Sequence, residues 1–495
     1  MIRTISPQDM REMERGFLDG TGFPSLLLME HAALAVVREL EALVSPGTLV
    51  LFVCGGGNNG GDGCAAARLW MQRGGRAEVW LLRSPSQMTG DAGLNAALLN
   101  GRGAVMKVLY GEAPKIPAGC RAVVDALYGT GLSRAPEGAA LSAIRRMNES
   151  ALPIVAVDLP SGVDGATGHI PGEAVRACVT VAFHRAKHGH LLFPGRAYTG
   201  KLIIADIGIL QEWDGALGVD ALEEADARAL LPTRERDANK GSFGHVLCVA
   251  GSEGMAGAAC LCTSAALRSG AGLATLACPF PVLSAAQTLV PCAMARAVSM
   301  GPHLGVDAAE PLAELAAGKA ALALGPGLGR AEESWLAILD LVESDTPKVV
   351  DADGLFLLAE HGGLCGENTV LTPHPGEMSR LLHISVAEVT ENPVEAARKL
   401  SQETDACVLL KGATTVIAQG EDLSMNLTGC DGMATGGCGD VLTGLIAGLM
   451  AQGLPAYDAA RLGAYWHGKA GEAAQADKGA RAMTAWDLEE HLKLE

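Results

Sequence analysis

Towards the C-terminal end of the chain, Thr435-Gly436-Gly437-Cys438-Gly439-Asp440 runs into the apolar stretch Val441 to Met450. Successive glycines at the start of a helix expose several backbone N–H groups, and the helix dipole favours negative charge there. Such a loop can hold a phosphate during its transfer. Asp440 stands next to it, where a carboxylate is suited to take the proton from a hydroxyl before phosphoryl attack. An acidic residue in a first helical turn is also ordinary capping chemistry, so the assignment needs partners. Five more polar turns follow apolar runs upstream: Gly251 to Gly257, Gly325-Pro326-Gly327-Leu328-Gly329, Asp351-Ala352-Asp353-Gly354, Thr372-Pro373-His374-Pro375-Gly376-Glu377 and Lys411-Gly412-Ala413-Thr414-Thr415. In an open parallel sheet, ligands bind outside the carboxyl ends of the strands. Five such turns on successive strand ends point to one crevice.

The N-terminal half holds a second constellation. Gly55, Gly57 and Gly60 give G-x-G-x-x-G between an apolar run and a helical pattern. Asn58, Asn59 and Asp62 crowd that turn, and the next strand ends at Leu82-Arg83 without an acidic ribose partner, which argues against a nicotinamide dehydrogenase. No Gly-Lys-Ser/Thr closes the turn, so it is not a P-loop either. Asp125 and Asp158 each end an apolar run and should reach the same crevice. With Asn59 and Ser161 they make a hard, oxygen-rich site suited to a monovalent or divalent cation.

The elements that must position these residues read as alternating strands and helices. Helical patterns cover Pro7 to Gly20, Ser25 to Leu43 and Gly63 to Arg73. Strands are expected at 48–53, 77–82, 122–125, 154–158, 179–183 and 202–207, then at 245–250, 274–277, 320–324, 348–351, 369–371 and 408–411. Short apolar runs separated by helix-length segments predict parallel sheets with crossover helices. Regularity weakens between Leu210 and Glu224, which places a boundary near residue 218 and predicts α/β domains over 1–218 and 219–495.

Composition agrees. The chain has 495 residues, too many for one ordinary core, and is 49% hydrophobic with 63 glycines, a balance that suits helices packed on sheets and excludes disorder. A formal net charge of -18 argues against a general nucleic-acid or anionic-membrane binder, so an anionic substrate must be held locally. The 13 cysteines lack paired zinc spacing and read as reduced thiols. No signal core or long apolar span is present, so a cytoplasmic protein is expected.

Three motifs make the N-terminal resemblance specific. Asn58-Asn59-Gly60-Gly61-Asp62-Gly63, Val124-Asp125-Ala126-Leu127-Tyr128-Gly129-Thr130-Gly131 and Val157-Asp158-Leu159-Pro160-Ser161-Gly162 resemble the NAD(P)H-hydrate epimerase family. Leu28-Met29-Glu30-His31-Ala32-Ala33 resembles that family's N-terminal element, with Ala33 in place of Gly, a change expected to touch packing. The resemblance implies a Rossmann-like three-layer domain in which Asn59, Asp125 and Ser161 bind K⁺. Asn58, Asn59, Gly60, Gly61, Asp62, Gly129, Thr130, Gly131, Leu132, Ser133, Arg134, Ala135 and Asp158 would then contact hydrated NADH or NADPH. Asp158 is the implied acid/base, with Lys187 second; ring opening and loss of water both stay open as routes.

From about Asn239 to Leu488 the chain resembles the ribokinase-like fold, and more closely the ADP-dependent NAD(P)H-hydrate dehydratases. That resemblance implies contacts to the hydrated dinucleotide from Ala259, Gly327, His374 and Asp440. Lys411, Gly412, Ala413, Thr414, Thr415 and Gly439 would bind ADP, the phosphoryl donor, with Mg²⁺ sharing the charge. Hydroxide leaves a hydrated ring poorly and a phosphate ester leaves readily, so phosphorylation followed by elimination would restore the double bond. A kinase that releases a phosphorylated product would explain the C-terminal half but not the N-terminal polar crevice. An N-terminal interaction module is the other alternative. The chain departs from the family at Leu427, Cys430 and Asp431, where a less rigid approach to the loop is expected, and at Cys438, which lacks the usual hydroxyl. Small-molecule substrates and a homo-oligomer are the expected partners.

Overall fold

The computed structural model describes residues 1–132, 134–215 and 218–495, and these form two compact units, Arg3–Val219 and Asp220–Glu495 with Met1–Ile2. Ser133, one of the expected contact residues, lies outside the described residues.

In the N-terminal unit seven parallel strands lie in the order Val105–Val108, Arg76–Leu81, Leu49–Cys54, Cys120–Ala126, Ile154–Val157, Val179–Phe183 and Lys201–Ala205. Alternation along the strands sets the layers. Val50, Phe52 and Cys54 pack with Val36, Val37, Leu40 and Trp70 from the helices Ser25–Leu43 and Asn58–Gln72. Leu51 and Val53 face the other way, onto Ile144 and Met147 of the helix Gly138–Glu149. Helices thus cover both faces, giving the Rossmann-like three-layer arrangement. Ala33 is fully buried in its helix.

In the C-terminal unit the parallel order is Met294–Ser299, Leu273–Pro279, His245–Val249, Ala321–Leu324, Lys348–Val350, Thr369–Leu371 and Cys407–Leu410. Thr415–Gln419 and Asp422–Asn426 then add an antiparallel hairpin. Val246, Cys248, Ala323 and Val349 pack into a core with the helices Ala256–Arg268, Cys438–Ala451 and Ala456–Lys478. Two of those helices approach closely because of glycine. A Cβ at Gly444 would stand 1.9 Å from the Cys262 carbonyl oxygen, and one at Gly448 1.8 Å from Ser269 Oγ. The apolar run after Asp440 is therefore a buried core helix, and among the described residues no helix is long and apolar enough to cross a membrane.

Two differences from the sequence reading bear on the sites. The helix expected from Gly63 starts at Asn58, so Asn58 to Gly61 form its first turn and present helix-terminal N–H groups. The segment after Lys411 continues as a strand from Thr415.

Candidate active sites

The N-terminal sheet changes direction of growth between Leu49–Cys54 and Cys120–Ala126, which opens a crevice at their carboxyl ends. Close backbone approach there requires glycine: a Cβ at Gly55 would lie 2.0 Å from the Leu127 oxygen, and one at Gly60 1.9 Å from the Gly55 oxygen. The crevice encloses about 1050 Å³. Its wall contains Asn58, Asn59, Asp62, Gly129, Thr130, Gly131, Leu132, Arg134, Ala135 and Asp158. Gly60 and Gly61 are buried beneath the wall and serve packing instead.

Asp158 sits at the centre of a fixed polar network. Its backbone is left-handed, φ 64°, an arrangement a non-glycine residue keeps only when its neighbours hold it. They do so from several sides. The Asp158 N–H donates to the Val181 carbonyl at 2.9 Å, and the Asp158 carbonyl accepts from His190 Nε2 at 2.7 Å. Asp158 Oδ1 accepts from Phe183 N at 3.2 Å and from Lys187 Nζ at 2.5 Å. Lys187 is 1% exposed, so this is a buried ion pair at the edge of the cavity. His190 also accepts from Lys187 N at 2.8 Å through Nδ1, and burial together with the Lys187 charge pushes it down to about 4. It is neutral at pH 7 and clamps the acid to the lysine.

Two more carboxyls face this pair. Burial raises Glu14, and burial with the nearby Asp158 charge raises Asp62 well above the usual carboxylate range. Both line the cavity and can supply protons there. Glu14 lies in the first helix, outside every motif, and nothing in its sequence surroundings marks it.

Asp125 and Ser161 are brought together. The Ser161 N–H donates to Asp125 Oδ2 at 2.8 Å and its hydroxyl to Oδ1 at 2.6 Å, while Ser161 Oγ accepts from Tyr128 N at 2.9 Å. Asp125 is fully buried, and burial pushes it up to about 6 despite those hydrogen bonds. Asn59 stands on the other side of the loop. A Cβ at Gly129 would lie 2.9 Å from Asn59 Oδ1 and 3.4 Å from Asp158 Oδ2, and Asn59 Nδ2 is buried without a partner among the described residues.

In the C-terminal unit the corresponding switch lies between His245–Val249 and Ala321–Leu324. The turns that follow these strands lock together, with Gly251 N donating to the Pro326 oxygen at 2.8 Å and Ser252 Oγ to the Gly327 oxygen at 2.8 Å. Gly327 has φ 62° and passes within 3.1 Å, measured from a Cβ placed on it, of Met255 and Ala258. Ala259 is fully buried behind this turn, its methyl against Gly251.

Lys411 Nζ bonds Asp351 Oδ1 at 2.9 Å and lies 3.8 Å from Glu377 Oε2, and Thr443 Oγ1 donates to Asp351 Oδ2 at 2.6 Å. Burial favours neutral forms of both members. Against it, Lys411 and the Thr443 hydroxyl hold Asp351 below the usual carboxylate value, and Asp351 and Glu377 hold Lys411 above its own. The glycine loop crosses directly over this pair: a Cβ at Gly439 would stand 3.5 Å from Lys411 Nζ and 3.6 Å from Asp351 Oδ2. Gly437 takes φ 95° to turn the chain into the helix. Asp440 then occupies the first turn, where burial and the Asp351 charge push it up to about 7. Gly412 and Ala413 are exposed beyond Lys411, Thr414 is buried, and Thr415 enters the hairpin.

Cys438 is 5% exposed, and burial pushes its thiol up to about 11. His467, far away in sequence, does reach this residue. Its Nε2 donates to the Cys438 carbonyl at 2.8 Å and so supports the loop rather than ionising the sulfur. The segment before the loop is fastened to the helix Ala456–Lys478, with Gly429 N donating to Glu472 Oε1 at 3.0 Å and Gly432 N to Gln475 Oε1 at 2.9 Å. Those side chains tether the stretch for which a less rigid approach to the loop was expected.

His374 caps the helix Pro375–Leu382, its Nδ1 accepting from Gly376 N at 3.0 Å and Glu377 N at 3.3 Å. Its outer edge remains exposed in a separate cavity of about 270 Å³ with Arg330, Asp353, Phe356 and Arg380. No sequence motif marks these arginines, His190, Thr443 or His467. Thr443 alone left a trace, as a hydroxyl inside an apolar helix.

Folds and sites together define a two-domain α/β enzyme, a Rossmann-like unit followed by a ribokinase-like one. Residues 25–189 match the family described as YjeF-related protein N-terminus, and residues 246–494 match NAD(P)H-hydrate dehydratase. The bifunctional NAD(P)H-hydrate repair enzyme of Moorella thermoacetica is 41% identical over 99% of this chain and 95% of its own length. That of Escherichia coli is 36% identical over 97% and 91%. A ribokinase-like superfamily protein from Enterococcus faecalis V583 is 24% identical, with a TM-score of 0.50, covering 55% of this chain and 94% of its own, a likeness of fold. The chain belongs to the bifunctional NAD(P)H-hydrate repair enzymes, which join an epimerase domain to a dehydratase domain.

Proposed function

We propose that residues 1–218 interconvert the R and S hydrates of NADH and NADPH, and that residues 219–495 dehydrate the S form with ADP, releasing AMP and phosphate. The observation that carries the second activity is the placement of Asp440, a half-buried carboxyl in the first helical turn after a glycine loop, where burial and the Asp351 charge push it up to about 7. A base poised there takes the substrate hydroxyl proton as phosphoryl transfer begins, and backbone N–H groups of Gly436 to Gly439 receive the developing charge. Lys411, placed by Asp351 and Thr443 beneath Gly439, supplies the fixed cation for the nucleotide phosphates.

Asp351, Glu377 and Asp440 surround Lys411 and Asp353 lies near Asp440, so the site holds more carboxyls than cations before any phosphate enters. A divalent cation fits that imbalance. Mg²⁺ carried by the nucleotide would offset the phosphate charge and act as a Lewis acid on the transferring oxygen atoms.

In the N-terminal unit, Asp158 and Lys187 form the proton-transfer pair, with Glu14 and Asp62 as neighbouring carboxyls. Asp125 is a buried carboxyl surrounded by Ser161 and backbone donors, and the Asn59 amide stands beside Gly129 in the same crevice. That oxygen-rich set fits K⁺, which would offset the Asp125 charge beside the turn Leu127 to Gly129.

Reciprocal variants test the assignment. Asp440→Asn should abolish ADP-dependent recovery of reduced nicotinamide while NMR still detects exchange between the epimers. Asp158→Asn should do the opposite. Loss of both activities in either variant, with folding intact, would show that the residues are misassigned.

A further inference from the structure

Three neighbouring strand ends build the cavity that contains His374. Arg330 follows the turn Gly325 to Gly329, Phe356 lies on the helix Asp353–His361, and Arg380 lies on the helix Pro375–Leu382. The Arg330 guanidinium carbon is 4.4 Å from the centre of the Phe356 ring and that of Arg380 is 5.0 Å from it. Contact with an aromatic ring holds a guanidinium in place while its N–H donors remain available. The acidic residues in the wall are already engaged. Asp353 accepts from Gly329 N at 2.9 Å and Arg330 Nε at 3.4 Å; Glu377 accepts from His374 N at 2.8 Å and faces Lys411 at 3.8 Å. Arg380 forms no ion pair with a described residue. On a chain of net charge -18, two ring-held guanidiniums beside the phosphoryl-transfer site form a local anion receptor.

We propose that Arg330 and Arg380 bind a phosphate group of the hydrated dinucleotide. This inference rests on the dehydratase function above. Two residues of the cavity wall adjoin the reaction site, Glu377 at 3.8 Å from Lys411 and Asp353 near Asp440, so a substrate reacting at Asp440 is placed to reach the cavity, and His374 lies in the same wall. The phosphate is either the pyrophosphate that both substrates share or the 2′-phosphate of the NADPH form.

The test is steady-state dehydration by the full chain carrying Arg330→Ala, Arg380→Ala or both, with hydrates of NADH and NADPH. Each single change should raise KM for the hydrate about tenfold, the scale of one charge-assisted hydrogen bond, and leave kcat within about twofold. Lysine at either position should restore part of the loss. Equal effects on the two hydrates assign the pyrophosphate; a larger effect on the NADPH hydrate assigns the 2′-phosphate. An unchanged hydrate KM, or a rise in ADP KM alone, overturns the subsite. Absence of dehydration by the unmodified chain would instead contradict the function. Equilibrium titration of NADPH into the unmodified and doubly substituted chains would then decide the subsite, with an unchanged Kd overturning it.

Discussion

Cys438 puts a thiol where the sequence resemblance leads to the expectation of a hydroxyl, and burial pushes that thiol up to about 11, protonated at neutral pH. It therefore contributes its backbone N–H to the loop and only a weak side-chain donor. Cys438→Ser should raise kcat for dehydration roughly three- to tenfold, the worth of about one hydrogen bond, as stopped-flow single turnovers would measure. A fall in kcat would mean that the sulfur's packing matters more than the missing hydroxyl. Asp440 gives a second residue-scale expectation. Burial and Asp351 hold its proton up to about pH 7, and a base must be ionised, so kcat should climb as pH rises through about 7 and then level off. That limb should vanish in Asp440→Asn. For Asp125 the same reasoning applies to cation binding. Ionisation precedes K⁺ binding, so K⁺ activation of epimerisation should weaken as pH falls below about 6. Asp440, Lys411, Asp158 and Asp125 were legible because each follows an apolar run or a glycine turn. His190, Glu14 and Arg380 were not, because their meaning comes from contacts with segments distant in sequence.

At the scale of elements, glycine sets how closely the phosphate-loop helix can pack. Gly444 and Gly448 press against Cys262 and Ser269, so the loop's height over Lys411 depends on this helix seam. Gly444→Ala should destabilise the C-terminal unit by about 1–3 kcal/mol through overpacking, read by urea denaturation, and should lower dehydration more than epimerisation. Unchanged stability would show that the seam has room the structure does not indicate. Central strands were legible as unbroken apolar runs such as Leu49–Cys54 and Val246–Val249. The edge strands Val105–Val108 and Met294–Ser299 were missed because half-exposed residues interrupt their apolar pattern. The hairpin after Thr415 was hidden by the motif it begins. The early start of the helix at Asn58 was hidden by its glycines, which read as a turn until Gly60 and Gly61 are seen packing beneath the loop.

At the scale of the whole molecule, each unit has its own run of seven parallel strands, its own core and its own polar crevice. Chemistry at one site is therefore expected to survive loss of the other, the basis for the reciprocal behaviour of Asp158→Asn and Asp440→Asn. The division was legible as two successive strand–helix series separated by an irregular stretch after Leu210, since each parallel sheet needs its own crossover helices. Bifunctionality has a direct reading. An equal mixture of the R and S hydrates of NADH is given to the full chain with K⁺, Mg²⁺ and ADP, and reduced-nicotinamide absorbance is followed to completion. The entire mixture should be recovered, with one AMP and one phosphate for each NADH restored. A plateau once the S form is consumed would contradict the epimerase, and no recovery at all would contradict the dehydratase and with it the central claim.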